Sequence, residues 1–217
     1  MVKSRTLSKT ILQISKSFPV LLLTGPRQVG KTTLLENCAT KTRSYVTLDD
    51  VDKRELAQND PELFLQIHKP PITIDEIQYA PNLFSYIKII VDKEKKNGMF
   101  WLTGSQKFHL MQGIGESLAG RVAIIDMLGF SQSEIYDRPT KTLPFMPGKK
   151  WLANARKNKN KPKDIIDIYK LIWQGSYPKV VTDKNIPRDI FYNSYIQTYV
   201  QRDVRDILNI TNELSFN

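Results

Sequence analysis

Between Val20 and Cys38 the sequence reads VLLLTGPRQVGKTTLLENC, and no other stretch restricts the possible folds so severely. Four consecutive apolar residues running into a glycine describe a buried strand that stops at a tight turn. After Lys31, Leu34, Leu35 and Cys38 fall at helical spacing. The intervening residues satisfy G-x-x-x-x-G-K-S/T at each fixed position. Gly25 and Gly30 permit backbone angles closed to other residues and let a ligand approach without a Cβ in the way. The backbone amides and the helix's positive end then face one anion. Lys31 brings a full charge to outer phosphates, and the Thr32 hydroxyl is placed to ligate magnesium. Gly25, Pro26, Arg27, Gln28, Val29, Gly30, Lys31, Thr32 and Thr33 are therefore the expected nucleotide-binding segment. The competing reading is a glycine-rich turn that merely precedes a lysine.

Downstream of Cys38 the chain alternates strand and helix. SYVTLDD reads as a strand with an acidic exit, VDKRELAQND and PELFLQIHK as two short helices, and PPITIDE as a strand. PNLFSYIKIIVDKEKKNG aligns Leu83, Ile87, Ile90 and Val91 on one helical face and is expected to end at Gly98. MFWLTGS is a further strand, HLMQGIGESLAG a weaker helix closed by Gly120, and RVAIIDMLGF a last strand. Such alternation predicts an α/β fold with a parallel sheet of about five strands flanked by helices. In such sheets ligands gather at the carboxyl ends of the strands.

Two strand exits then acquire chemical meaning. In ITIDE, Asp75 closes the strand and is expected to hold magnesium, usually through water, while Glu76 is the expected proton acceptor for an attacking water. In WLTGSQ the polar exit suggests a group that senses the terminal phosphate; the residues do not decide between Ser105 and Gln106, and a plain helix cap is the alternative. Arg121, between a helix and a strand, stabilises phosphoryl charge in one reading and caps the helix in the other.

The net charge of +10 is unevenly spread: residues 137–163 alone account for +8. With three prolines before Lys149 and a low-complexity run after Ala155, this segment is expected to be a loop or linker. It is either an arm for phosphate backbones, with Trp151 available to stack on a base, or a solvated spacer. Cys38 is the sole cysteine, which excludes an intrachain disulfide, and His68 and His109 have no partner at ligand spacing. No apolar run approaches a membrane span and no signal peptide is evident, so a cytoplasmic protein is expected.

With these residues placed, the chain resembles the AAA-type ATPases of bacteria and archaea that carry an uncharacterised C-terminal domain. The resemblance rests on LTGPRQVGKTTL, YVTLDD, ITIDEIQYAPNLFSYIKIIVD, LTGSQKFHLMQGIGESLAGRV, GFSQSEI, GSYP and SYIQTYVQRDVRDI. It implies a P-loop NTPase core over 1–136 with the phosphate loop at Gly25–Thr32, the magnesium and water acids at Asp75 and Glu76, a sensor near Ser105, and Arg121 in a characteristic G-R turn. After the 137–163 linker, residues 164–217 are expected to form a small helical segment, the start of a truncated C-terminal domain. Ile196, Val200, Val204 and Ile207 mark its apolar stripe, with Arg202, Asp203 and Arg205 alongside.

The leading expectation is an ATP-binding protein that hydrolyses ATP with Mg2+ to drive a conformational switch. Two alternatives stay open. One is a nucleotide-gated module for DNA or a protein partner, acting through the basic segment; the other is a small-molecule kinase. A GTPase is disfavoured because N-K-x-D is missing. If Arg121 acts across an interface, the protein is a homo-oligomer.

Overall fold

Four side chains in a row with no polar face, Val20 to Leu23, are each at most 1% exposed, which is possible only when both faces of a strand are covered. The computed structural model describes residues 3–105, 110, 113–115, 117–137, 148–157 and 164–199. In it β1 (Val20–Thr24) lies inside a parallel sheet with β2 (Ser44–Thr47), β3 (Ile72–Asp75), β4 (Phe100–Gly104) and β5 (Val122–Asp126), in the order β2-β3-β4-β1-β5. The five-stranded parallel sheet flanked by helices is the expected fold.

Strand alternation assigns the two layers. Val20 and Leu22, Ile72 and Ile74, and Phe100 and Leu102 join one core with Phe64, Leu83, Phe84 and Ile87. Leu21, Leu23 and Trp101 point the other way and meet Ile11, Leu34 and Leu35. The first core is covered by α3 (Val51–Asn59), α4 (Pro61–Ile67) and α5 (Leu83–Glu94), the second by α1 (Leu7–Ile14) and α2 (Lys31–Cys38). Each fully buried side chain of this size contributes roughly 1.5–3 kcal/mol relative to exposure.

Local chemistry sets the helix ends. Asp60 caps α4 by accepting from the Leu63 amide at 2.9 Å, and Pro61 occupies the first turn. Helix α5 does not run to Gly98 as the sequence suggests. It stops at Glu94, with Lys95 taking the left-handed conformation at φ 51°. Gly98, at φ 67°, serves a different constraint: a Cβ there would lie 2.6 Å from the Ser15 carbonyl oxygen. The expected helix after β4 is present in part, with Leu110, Gly113 to Gly115 and Ser117 in helical turns.

Within the basic segment, expected as a loop, Lys149–Lys157 forms helix α7; α6 is the short Gln132–Ile135 turn before it. The stretch KKWLANARK contains neither glycine nor proline, and the Leu152 amide already bonds the Gly148 carbonyl at 3.0 Å. Beyond it come α8 (Ile165–Gln174), α9 (Pro178–Thr182) and α10 (Arg188–Tyr199). Gln106, His109, the basic run 158–163, and Val200, Arg202, Asp203, Val204, Arg205 and Ile207 lie outside the described residues. No described helix is long and apolar enough to cross a membrane.

At the amino ends of the strands, Arg43 stacks 3.9 Å above Trp101 and donates to the carbonyls of Ile72 (3.0 Å) and Gly98 (2.6 Å). Burial pulls its guanidinium down to about 10, so these contacts compensate a desolvated charge. Substituting Arg43→Ala removes a cation–π contact and two charge-assisted hydrogen bonds, and is expected to destabilise the fold by about 2–3 kcal/mol. The shift in urea midpoint at unchanged slope measures it.

Candidate functional site

The strands stop nearly in step: Thr24 pairs with Gly104 and Asp126, and Thr47 with Asp75. One edge of the sheet therefore collects the polar strand exits, and the glycine-rich turn begins there. Gly25 has φ 138°, and a Cβ on it would collide with the Met127 carbonyl oxygen, so only glycine fits. Gln28 (φ 62°) and Gly30 (φ 92°) add two further left-handed residues, and Gly30 is the N-cap of α2. Interspersed left-handed residues are the backbone means of turning successive amides into a concave anion site.

Lys31 is 7% exposed, yet its ammonium is held at the loop by the carbonyls of Gly25 (2.9 Å) and Pro26 (3.0 Å). Beside it opens a cleft of about 300 Å³ lined by Arg27, Gln28, Gly30, Lys31, Thr32, Thr33 and Glu76. Val29 instead packs into the core between the sheet and α1–α2.

Asp75, also 7% exposed, is surrounded by hydroxyls. Thr32 Oγ1 and the Tyr45 phenol each donate to its Oδ2 at 3.0 Å, and Thr103 Oγ1 donates to its Oδ1. Burial first, and then the carboxylate's charge, push the Tyr45 phenol well above its ordinary value. Glu76 takes a left-handed conformation (φ 56°) that brings its side chain to the cleft. Its amide donates to Thr103 Oγ1 at 3.4 Å, and its carboxylate accepts from the Gln78 amide. Just past β4, Ser105 Oγ is buried without a hydrogen-bond partner among the described residues, as is Gln78 Oε1.

The donor set at the loop mouth suits magnesium. Thr32 and Asp75 present hard oxygens joined by a direct hydrogen bond, and so few protein ligands leave coordination positions for water and phosphate oxygens. Among the described residues no group of three or more His, Cys, Asp or Glu converges on a metal position.

Of the residues singled out in the sequence, the loop residues from Gly25 to Thr33, Asp75 and Glu76 come together, and Ser105 lies on the next strand's exit. Arg121 does not join them. It precedes β5 and sits beside the amino end of β1, where the Val20 amide reaches its carbonyl at 3.3 Å. Five residues of strand, about 16 Å, separate that level from the loop. There its guanidinium chelates Asp92 of α5 at 2.6 and 3.0 Å and bonds the Ala119 carbonyl. Within one chain Arg121 is thus a surface ion-pair residue, because it enters the strand rather than leaving it. Tyr45 and Gln78 escaped sequence reasoning, whereas Thr103 opens the polar exit of WLTGSQ that the sequence singles out, although its bond to Asp75 is not foreseen there. Tyr45 reaches Asp75 only through the β2–β3 register.

A family model described as "AAA domain" matches residues 17–136, more than half of the chain, and one described as "Domain of unknown function (DUF8612)" matches residues 165–217. The uncharacterized protein Rv2008c of Mycobacterium tuberculosis and the uncharacterized protein Mb2031c of Mycobacterium bovis are each 40% identical over 120 residues. That alignment covers 54% of this chain but 26% of either relative, so the chain spans about a quarter of their length. Among solved structures, the Walker-type ATPase PABY2304 of Pyrococcus abyssi superposes with a TM-score of 0.52 at 15% identity, covering 95% of this chain and 75% of its own. A DNA replication initiation factor gives 0.50 at 11% identity, covering 90% of this chain and 62% of its own. Both likenesses concern the fold.

The loop's dependence on glycine is directly measurable. Gly25→Ala combines a backbone collision with a strained φ and is expected to lower stability by about 2–4 kcal/mol. Gly115→Ala, whose Cβ would meet nothing within 4 Å, is the matched control and should leave the unfolding midpoint level or slightly raised.

Proposed function

The chain belongs to the AAA domain family, and from that membership we propose that it is a magnesium-dependent ATPase of the cytoplasm, whose nucleotide state moves the C-terminal helices. The observation that carries this reading is the 3.0 Å hydrogen bond from Thr32 to Asp75. It unites the loop with the one strand exit where a second acid, Glu76, faces the same cleft.

The roles follow from position. The loop amides and the Lys31 ammonium hold the outer phosphates, exchanging the carbonyls of Gly25 and Pro26 for phosphate oxygens. Thr32 and Asp75 hold the magnesium ion, which when bound neutralises charge on those oxygens. Glu76 orients water and accepts its proton, with Gln78 fixing the carboxylate. Ser105, whose buried hydroxyl lacks a partner among the described residues, meets the terminal phosphate or the lytic water.

A smaller pocket of about 130 Å³ shares Gly30 and Thr33 with the phosphate cleft and is walled by Val29, Leu34, Met127 and Phe130. A small, largely apolar pocket beside the loop is suited to a nucleobase. Arg5 lines it: Nη2 is committed to the Leu128 carbonyl at 2.6 Å, whereas buried Nη1 has no hydrogen-bond partner among the described residues and can donate to a ring nitrogen.

The switch has a structural route. Gly129, after β5, packs against Ser176, and the Phe130 amide bonds the Ser176 carbonyl at 2.7 Å. Gln28 of the loop shares a cleft with Lys179, Ile190 and Phe191 of the C-terminal helices. Any phosphate contact by Arg121 is made to a second copy of the chain. Helix α7 favours one added reading, a phosphate-backbone contact gated by nucleotide, because it places Lys149 and Lys150 on an exposed first turn.

Two substitutions separate binding from chemistry. Lys31→Ala is expected to weaken ATP binding by about 100-fold, roughly 3 kcal/mol, measured by calorimetry. Glu76→Gln should leave that affinity within about threefold and lower turnover by about 10²–10⁴. Undiminished turnover would place the base elsewhere. For the α7 reading, DNA retention of the full chain should fall steeply with salt and weaken when Lys149 and Lys150 are both changed to Ala; retention indifferent to both overturns it.

A further inference from the structure

Tyr45 is not among the residues that the loop or the two acids explain. In the β2–β3 register it stands opposite Thr73, two residues short of the Thr47–Asp75 pair, and nevertheless its phenol reaches Asp75 Oδ2 at 3.0 Å. Three hydroxyls thus converge on one carboxylate, and they differ in what else they can do. Thr103 is fully buried on the neighbouring strand and pins Oδ1 from the sheet side. Thr32 belongs to the loop, and its oxygen is itself a ligand candidate. Tyr45 comes from the edge strand, is 44% exposed, and bonds the same oxygen as Thr32.

A carboxylate rotates easily about its last side-chain bond unless both oxygens are restrained. Thr103 restrains one. For the other, Thr32 is a poor restraint, because a cation at the loop mouth draws on that same hydroxyl. Tyr45 is the group that keeps Oδ2 facing the loop whichever way Thr32 is engaged. Resting on the ATPase reading, we propose that Tyr45 is a positioning residue for the metal-binding carboxylate: it sets how readily the nucleotide complex takes up Mg2+, not how tightly nucleotide binds.

The test compares the full chain with Tyr45→Phe, which keeps the ring and loses one hydroxyl at a half-exposed site. ATP binding is titrated by calorimetry in EDTA and again across Mg2+ concentrations, with turnover followed alongside. The variant should bind ATP in EDTA as the parent does and require about 3- to 10-fold more Mg2+ for half-maximal tightening. Turnover at saturating Mg2+ should stay within about twofold. An unshifted Mg2+ midpoint overturns the proposal. So does a loss of metal-free ATP binding or a lowered unfolding midpoint, either of which makes Tyr45 a structural support instead. Lys31→Ala run in parallel distinguishes the deeper failure: if the parent chain binds ATP no better than that variant, the ATPase reading falls, and this proposal with it.

Discussion

Burial of β1 on both faces is the constraint from which the rest of the architecture derives. A strand whose four apolar residues are all inaccessible must have strands on both edges and helices on both sides. Parallel pairing with β4 and β5 then aligns the strand exits, so that the first polar residues after each apolar run arrive on one edge. The site is a product of that alignment. Thr32, Asp75 and Thr103 come from separate elements and become neighbours because the strands end in step.

The same geometry gives the site its character. Asp75 accepts from three hydroxyls, of which Thr103 is fully buried, and the buried ammonium of Lys31 is held by two loop carbonyls. Among the described residues, Ser105 Oγ just past β4 and Arg5 Nη1 in the smaller pocket stand out against that background as buried atoms without a hydrogen-bond partner. Buried polar groups are normally hydrogen-bonded, and Gln78 Oε1 and Arg5 Nε share the same exception among the described residues.

Much of this was legible beforehand. The run VLLLTG, the fixed loop positions and the ITIDE exit each carry their meaning locally, through periodicity and glycine, and the sheet follows from their alternation. Elements that depended on non-local geometry were not legible. Nothing in SYVT says that Tyr45 leans across to the next strand, since that requires the register. The end of α5 was misplaced because Gly98 is needed for its approach to Ser15 rather than for the helix, and Lys95 accepts the left-handed turn instead. Helix α7 was obscured by the prolines before it and the lysines after it. For Arg121 the signal was available: a residue that enters a parallel strand lies at the wrong end for ligand chemistry.

The short passage from Asp126 to Phe130 touches the molecule on two sides. Met127 crowds Gly25 of the phosphate loop, while Gly129 and Phe130 are fastened to Ser176. Such a passage behaves as a spacer of invariant length. Adding or deleting one residue there would put the two attachments out of step. Variation in length among related chains should therefore spare these few positions.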